Sequence, residues 1–463
     1  MDRRSFLRTG IAGLGLSAAV PVRRLHAGTP RAAAPGARPS PQQLAWQRRE
    51  TALFVHFGVN TFTNREWGDG TEDPRIFNPA RLDARQWTRS ARAGGFQTVI
   101  LTAKHHDGFC LWPSALTDHS VRSSPWRGGK GDVVREFVDA CRAEGLGAGL
   151  YLSPWDRHEP RYGDSPRYND YYVAQLTELL TGYGPLVEVW FDGANGEGPN
   201  GRKQVYDWPR IHETVRKLQP NALMFSDAGP DIRWIGNERG IAADPNWCAV
   251  DPATVPQPGV SGPAVTASLQ HGDPHGSVWR PGEADVSIRP GWFWHPAEDE
   301  RVRTADNLID LYFSSVGRNA NLLLNVPPTT DGLFHEMDVA RLAEFGRRRA
   351  ALFAHDLAAD ARTTWSRGAD GRSGSLELDL GRAVTFDVVR LEEVIENGQT
   401  VERYRLLASS GGEWREVSAG TTIGHAKLDR VQPTTASRLR LEVSSIDEPR
   451  IGAVRIYNRT TAA

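Results

Sequence analysis

The strongest constraint on the fold is a repeated alternation of short apolar segments with longer amphipathic segments across residues 53–353. This pattern is typical of a parallel sheet whose strands are joined by crossover helices. The predicted strands are Leu53–Val59, Thr98–Ala103, Gly147–Leu152, Val187–Phe191, Ala222–Ser226, Ile232–Ile235, a weak segment at Val286–Ile288, and Leu322–Val326. The predicted helices are Leu82–Ala93, Val133–Glu144, Tyr168–Tyr183, Trp208–Leu218, Ala305–Val316 and Met337–Phe353. We therefore expect an α/β fold, a (β/α)8-type (TIM-like) barrel with an irregular second half.

The sequence changes character after about Asp356, where long helical patterns give way to short alternating segments separated by turn residues. These segments include Leu376–Leu380, Val388–Leu391, Tyr404–Leu407 and Leu439–Val443. Such alternation predicts a β-sandwich, and the region resembles discoidin-like, galactose-binding-like jelly rolls. The predicted domains are a barrel over residues 45–355 and a C-terminal β-sandwich over residues 356–463.

The N-terminus resembles a targeting segment. Paired arginines, Arg3 and Arg4, precede a moderately apolar stretch from Ile11 to Val20, a pattern similar to bacterial twin-arginine export signals. We assign residues 1–27 to this signal and residues 28–44 to a leader, which predicts a periplasmic or secreted protein. Because the apolar stretch is shorter than the roughly 20 residues of a membrane helix, we expect no membrane span.

Charge and aromatic content narrow the possible functions. The 55 basic and 56 acidic side chains give a net charge of −1, which lacks the basic footprint of a nucleic-acid-binding protein. The chain contains 15 tryptophans, and indole faces can stack on the C–H faces of sugar rings. Most of these tryptophans are expected in the core, but their number is compatible with carbohydrate recognition.

Polar and aromatic residues follow the first four predicted strands, where barrel enzymes build their active sites. The residues are His56, Glu66 and Trp67 after the first strand, Lys104, His105, His106 and Asp107 after the second, Tyr151 and Trp155 at the third, and Trp190 and Asp192 at the fourth. A metal-dependent hydrolase using His56, His105, His106 and Asp192 is one alternative. Adjacent strand residues point to opposite faces and Lys104 opposes a cation, so we predict no metal and no cofactor.

Several motifs carry a family resemblance. In chain order they are Val55-His56-Phe57-Gly58, Glu66-Trp67, Leu101–Phe109 with Trp112, and Trp190-Phe191-Asp192-Gly193. Together they resemble the signature of α-L-fucosidases of glycoside hydrolase family 29. Three downstream motifs, Gly229–Glu238, Ser287–Phe293 and Asn321–Pro328, resemble the branch that acts on α-1,3/1,4-linked fucose.

The resemblance implies a retaining hydrolysis that uses two carboxyl groups. Asp192 matches the family nucleophile. Glu238 matches the acid/base position of the α-1,3/1,4 branch, and Glu283 is the second choice for this role. The expected partner is a fucosylated oligosaccharide or glycoconjugate, and the oligomeric state is not predicted.

The resemblance further implies which residues bind the sugar. His56, Glu66, Trp67, His105 and His106 would hold the hydroxyl groups, and Tyr151, Trp155, Trp190 and Trp292 would form the walls. Lys104 and Asp107 would orient the histidines. The stretch from Asp251 to Gly276 is long enough to shape the leaving-group side, which keeps a broad or α-1,2-directed fucosidase open as an alternative. A non-catalytic glycan-binding protein is the other alternative.

Overall fold

The computed structural model describes residues 36–459. The proposed export signal over residues 1–27 and the first part of the leader lie outside this range. In chain order the strands of the first domain are β1 (Thr51–Val55), β2 (Thr98–Lys104), β3 (Gly147–Leu152), β4 (Glu188–Trp190), β5 (Leu223–Ser226), β6 (Ile232–Trp234), β7 (Ala249–Val250), β8 (Val278–Trp279), β9 (Gly282–Ser287) and β10 (Ala320–Asn325). The helices are α1 (Pro41–Arg49), α2 (Val59–Thr63), α3 (Ala84–Ala93), α4 (Val133–Ala143), α5 (Ser165–Gly182), α6 (Trp208–Leu218), α7 (Pro263–His271), α8 (Ala305–Ser314) and α9 (Glu336–Leu352).

Eight of these strands close into a parallel barrel in the order β1-β10-β9-β6-β5-β4-β3-β2. This confirms the predicted TIM-like fold. The second half is irregular, because Asp227–Asp231 alone connect β5 to β6 and no helix lies between them. The connection from β6 to β9 carries the antiparallel pair β7 and β8 together with α7.

Helix α4 shows how the sequence positions the outer layer. Asp132 caps the helix by accepting a hydrogen bond from the backbone N–H of Arg135, which satisfies a donor that the first turn leaves free. Val134, Phe137 and Cys141 are fully buried and recur at the three- and four-residue spacing of one helical face. This face packs against the barrel, so helix and strand share one core.

The leader predicted for residues 28–44 is wrong in its last residues. Ser40 and Gln43 form a capping box, and Pro41 occupies the first turn of α1, a position that favours proline. The last residues assigned to the leader therefore form the start of a helix. Trp46 of α1 packs with residues of the barrel interior, and its backbone carbonyl accepts a hydrogen bond from Asn321 Nδ2 at 2.8 Å.

The C-terminal domain is an antiparallel β-sandwich, as predicted. Its strands are β11 (Arg362–Arg367), β12 (Ser373–Glu393), β13 (Val401–Ser409), β14 (Arg415–Gly420), β15 (Lys427–Ser445) and β16 (Ile451–Tyr457). They pair in the order β11-β12-β15-β13-β14, with β16 beside β12. The domain has its own apolar core, which includes Phe386, Leu406 and Leu441.

The sandwich packs directly on the barrel domain. Val388, Leu428 and Tyr457 belong to the same apolar cluster as barrel helix residues, and the Tyr457 and Phe353 rings lie 5.0 Å apart. The predicted boundary between residues 355 and 356 falls in the link from α9 to β11. Within the described range, no helix has the length and apolar character needed to cross a membrane.

Candidate active site

Asp192 lies two residues beyond the end of β4, at the carboxyl end of the barrel strands. Its Oδ1 accepts a hydrogen bond from the backbone N–H of Ala194 at 2.7 Å. Its Oδ2 lies 3.5 Å from the Tyr151 hydroxyl and 4.0 Å from His106 Nε2. The side chain is 6% exposed. One oxygen is thus fixed by the backbone, and the other faces the neighbouring strand-end residues.

Ser153 fixes a hydrogen on Nδ1 of His106. The Ser153 hydroxyl donates its single hydrogen to the Trp155 carbonyl at 2.6 Å, and its oxygen lies 2.7 Å from His106 Nδ1. Since the hydroxyl hydrogen is already used, the oxygen accepts from Nδ1–H. In the neutral form of His106 the lone pair is therefore on Nε2, the nitrogen that lies 4.0 Å from Asp192 Oδ2.

Asn325, the last residue of β10, acts similarly on His56. Its Nδ2 donates to the carbonyl of Trp292 and to Ser287 Oγ, at 2.8 and 2.9 Å. Its Oδ1 must then be the atom 2.8 Å from His56 Nδ1. Nδ1 carries the hydrogen, so neutral His56 also has its lone pair on Nε2.

His105 lies between these two histidines, with ring centroids 4.1 Å from His106 and 5.5 Å from His56. Its Nδ1 is 3.5 Å from Asn60 Nδ2 and 4.0 Å from Asp107 Oδ2. Asp107 is buried, and this burial, together with nearby carboxylates, raises the pKa of Asp107 to about 7. At 4.0 Å from His105 Nδ1, Asp107 lies where it can orient His105. That orienting role is the one that the resemblance implies.

Glu66 holds together two loops that border the site. Its Oε2 accepts from the backbone N–H of Trp292 at 2.8 Å, and its Oε1 accepts from the N–H of Phe293 at 3.2 Å. His295 Nε2 lies 2.6 Å from the same Oε1. A carboxylate has about four acceptor positions, so these contacts leave limited capacity for a sugar hydroxyl. The predicted contact of Glu66 with fucose stays a prediction. The sequence did not predict that Glu66 joins the two loops.

Aromatic side chains surround the strand ends. Trp67 and Trp155 lie edge to face at 5.5 Å, and Trp155 is 4.9 Å from the His106 ring. On the other side, Trp292 lies 5.2 Å from His56. The structure thus brings together the predicted indole and imidazole rings around one opening of the barrel.

Tyr151 and Trp190 lie deeper than predicted for walls. They are 1% and 4% exposed and their rings are 5.2 Å apart. Trp190 stacks on Phe225 at 4.2 Å with an interplanar angle of 10°. The two rings form a floor beneath Asp192, from which the Tyr151 hydroxyl reaches the carboxylate.

The two candidates for the acid/base occupy different places. Glu238 is partly exposed and follows β6, in a loop tied to β9 by the Gly240 N–H and the Asp285 carbonyl at 3.0 Å. β4 and β6 are separated only by β5, so they lie about 10 Å apart. Asp192 and Glu238 therefore follow nearby strands at the same face of the barrel.

Glu283 is fully buried within β9. Its Oε1 accepts a hydrogen bond from the Trp190 indole at 3.0 Å, and burial together with the neighbouring carboxyl group of Glu188 raises its pKa. Both partners belong to the barrel interior. This environment favours Glu238 over Glu283 as the group that faces a leaving oxygen.

Lys104 is fully buried, and its Nζ donates to Asp156 Oδ2 at 2.8 Å and to Gln175 Oε1 at 2.9 Å. Burial alone would raise the pKa of Asp156, but the Lys104 ammonium lowers it below its ordinary value. Asp156 Oδ1 in turn accepts from the backbone N–H groups of His158 and Glu159. Lys104 thus stabilises the loop that carries Trp155 rather than contacting the histidines as the resemblance implied.

Ser153 and Asn325 are the site residues that the sequence left unassigned. Both stand at strand ends, which is the signal that could have identified them. Across residues 36–459, no cluster of three or more His, Cys, Asp or Glu side chains has the arrangement of a metal site. A TIM-like barrel that presents carboxylates after β4 and β6, among imidazole and indole rings, has the site of a glycoside hydrolase.

Sequence comparison identifies the family. A model of the α-L-fucosidase family matches residues 40–348, and a model of the F5/8 type C domain matches residues 346–456. The chain belongs to the α-L-fucosidase family, glycoside hydrolase family 29, and is an enzyme of that activity. The alternative of a non-catalytic glycan-binding protein is therefore set aside.

Individual relatives agree over most of the chain. α-L-Fucosidase 1 of Arabidopsis thaliana is 43% identical over 90% of this chain and 87% of its own. The crystal structure of SpGH29 has 43% identity and a TM-score of 0.86, covering 91% of this chain and 98% of that one. The Ruminococcus gnavus family 29 fucosidase in complex with fucose has 34% identity and a TM-score of 0.82, covering 92% and 97%.

The comparisons correct the predicted localisation. A rice relative named for the same activity is 45% identical over 93% of this chain and 88% of its own, and the Arabidopsis protein is nearly as similar. These plant relatives contradict the assignment of a bacterial twin-arginine protein of the periplasm, and that prediction is wrong. The arginine pair on which it rested lies outside the described residues.

Proposed function

We propose that the protein is a retaining exo-α-L-fucosidase that removes terminal α-1,3/1,4-linked L-fucose from oligosaccharides or glycoconjugates. Asp192 is the nucleophile and Glu238 the acid/base. The observation that carries this proposal is the placement of Asp192, fixed through Oδ1 by the Ala194 N–H, at the same barrel face as Glu238.

The reaction has two displacements. Asp192 Oδ2 attacks the anomeric carbon while Glu238 donates a proton to the departing glycosidic oxygen, whose bond to that carbon breaks. The resulting fucosyl ester is hydrolysed when Glu238 removes a proton from water and the water oxygen displaces Asp192. Two inversions give net retention, which requires the two carboxyl groups to stand about 5–5.5 Å apart.

The histidines determine which hydrogen bonds the sugar hydroxyl groups donate. Nδ1 of His56 and of His106 donates to Asn325 and Ser153, respectively, so each Nε2 accepts a hydrogen bond. Sugar hydroxyl groups both donate and accept. We expect two fucose hydroxyls to donate to these nitrogens, which leaves their oxygens to accept from other donors of the site.

Indole rings provide an apolar seat for the fucose methyl group. Trp67, Trp155 and Trp292 present ring faces and edges around the opening. Galactose of the same ring configuration carries a hydroxymethyl group in place of this methyl. A single apolar contact of this kind discriminates by roughly 1–3 kcal/mol, so the hydroxyl contacts must supply the remaining specificity.

The long connection between β6 and β9 supports a role in linkage preference. The backbone N–H of Gly259 donates to Asp227 Oδ2 at 3.1 Å. A Cβ at Gly259 would lie 3.1 Å from the carbonyl of Gly193, the residue that follows the nucleophile. The Asp251–Gly276 segment therefore reaches the margin of the site, where it would contact the sugar that carries fucose.

Hydrolysis of three substrates tests the proposal: a trisaccharide with fucose α-1,3/1,4-linked to GlcNAc, a fucosyl-α-1,2-galactose and an aryl α-L-fucoside. Asp192→Asn should abolish activity, whereas Asp170→Asn, a matched change at an exposed ion pair with Arg210, should leave it intact. Release from the trisaccharide alone supports the full proposal. Release mainly from the other two substrates would overturn the linkage and retain the fucosidase.

A further inference from the structure

The barrel interior contains two glutamates with no exposed surface, Glu188 of β4 and Glu283 of β9. Each accepts one indole hydrogen bond: Glu188 Oε2 from Trp46 Nε1 at 2.9 Å, and Glu283 Oε1 from Trp190 Nε1 at 3.0 Å. Within residues 36–459 the two remaining oxygens, Glu188 Oε1 and Glu283 Oε2, meet no N–H or O–H donor. The two carboxyl groups are neighbours in the barrel interior, close enough that each shifts the pKa of the other.

Two neighbouring ionised carboxylates could not stabilise each other by a hydrogen bond, because neither has a hydrogen to donate. Burying two adjacent negative charges is also costly, and one proton removes most of that cost. The charged groups facing the pair are Arg49 on the side of Glu188 and Asp285 on the side of Glu283. Asp285 Oδ1 already accepts from the Trp234 indole at 2.7 Å.

We propose that Glu188 and Glu283 share one proton and act together to position Trp190 beneath the active site. The pair is joined to the indole by the Glu283 hydrogen bond. Trp190 in turn packs against Tyr151, whose hydroxyl lies 3.5 Å from the Asp192 carboxylate. Glu283 is thus a positioning residue of the barrel interior and not the acid/base.

The directions in which the two pKa values are shifted agree with this geometry. Burial raises the pKa of Glu188 above its ordinary value. Burial and the adjacent Glu188 raise the pKa of Glu283 well above its ordinary value. A carboxyl group whose pKa is raised on folding contributes stability below its unfolded pKa and loses that contribution as the pH rises through its folded pKa.

Glu283→Gln is the informative variant. Its amide oxygen still accepts from Trp190, and its amide N–H replaces the shared proton toward Glu188. We expect kcat and KM within about twofold of the parent enzyme, because the substitution preserves both contacts. Glu283→Leu leaves the Trp190 indole without its acceptor and removes the group with which Glu188 shares a proton, so we expect kcat/KM to fall at least about tenfold.

Two readouts need no substrate and do not depend on the proposed roles at the sugar site. The unfolding temperature of Glu283→Gln minus that of the parent should increase from about pH 5 to about pH 9, because the variant has no shared proton to lose. In D2O, the infrared difference spectrum of the parent minus this variant should contain one band of a protonated carboxyl group, because carboxyl groups such as Asp107, whose pKa is also raised, are common to both proteins.

A pH-independent difference in unfolding temperature, or no infrared band lost on substitution, would overturn the shared proton. If Glu283→Gln folds normally but loses more than about a hundredfold in kcat, Glu283 acts in the chemistry, and both this inference and the assignment of Glu238 fail. Loss of activity in Asp192→Asn with the expected behaviour of Glu283→Gln would support both.

Discussion

The Ser153 hydroxyl accepts a hydrogen bond from Nδ1 of His106 at 2.7 Å while donating its own hydrogen to the Trp155 carbonyl. One hydroxyl group therefore fixes an imidazole tautomer and a loop conformation together. This contact explains how a histidine 4.0 Å from the nucleophile presents an acceptor nitrogen.

Ser153→Ala should lower kcat/KM about tenfold, because it removes the acceptor that fixes the His106 tautomer. Steady-state kinetics with the trisaccharide that carries α-1,3/1,4-linked fucose would measure the effect. Ser120→Ala is the matched control, since Ser120 is equally buried and its hydroxyl has no hydrogen-bond partner within residues 36–459. Equal kinetics for the two variants would contradict the role of Ser153.

Glu66→Gln should raise KM and loosen the loop that follows β9. The backbone N–H groups of Trp292 and Phe293 contact different oxygens of Glu66, so the nitrogen that replaces one oxygen in glutamine would face an N–H donor. Hydrogen exchange over residues 288–300 should accelerate, and kcat/KM should fall about tenfold.

Glu298→Gln provides the comparison for Glu66. Glu298 supplies one backbone contact to the same loop, accepting from the Gly291 N–H at 3.0 Å, and glutamine can still make it. An unchanged hydrogen-exchange rate in Glu66→Gln, or an equal increase in both variants, would contradict the proposed role of Glu66 in holding this loop.

Glu50→Gln should destabilise the junction between barrel and sandwich by about 3 kcal/mol at neutral pH. Burial alone would raise the pKa of Glu50, but His425, Arg390 and Tyr312 hold it well below its ordinary value. The contribution is therefore present above the unfolded pKa and is lost as the pH falls through the folded pKa. Chemical unfolding at neutral and acidic pH would measure it.

The loss of unfolding free energy in Glu50→Gln should become smaller below about pH 4.5. Glu396→Gln breaks an exposed ion pair with Arg48 and should cost less than about 1 kcal/mol at either pH. Similar losses in the two variants would show that burial adds nothing at Glu50.

Sequence patterns predicted most of the barrel because apolar strands between amphipathic helices are periodic. β9 was predicted only weakly, since Glu283 and Asp285 point inward and interrupt the apolar pattern. Strands β11, β14 and β16 were missed, and β11 is exposed along its whole length, so its residues carry no alternation.

Strand-end reasoning identified the site residues that the structure brings together, including Asp192, His56 and His106. It could not identify their partners. Asn325 is 269 positions from His56 in the chain, and only closure of the barrel brings β10 beside β1. The burial of Glu283 is likewise a property of the closed barrel, because an alternating strand pattern does not say which face is interior.

Trapping of the covalent intermediate tests the central claim most directly. Incubation with a 2-deoxy-2-fluoro-α-L-fucosyl fluoride, followed by peptide mass spectrometry, should give one fucosyl adduct on the peptide that contains Asp192. The 2-fluorine slows both displacements, and departure of the anomeric fluoride keeps the first faster than the second, so the ester should accumulate if the mechanism is retaining. An adduct on another carboxylate, or turnover with inverted product and no adduct, would contradict the assignment of Asp192 as nucleophile.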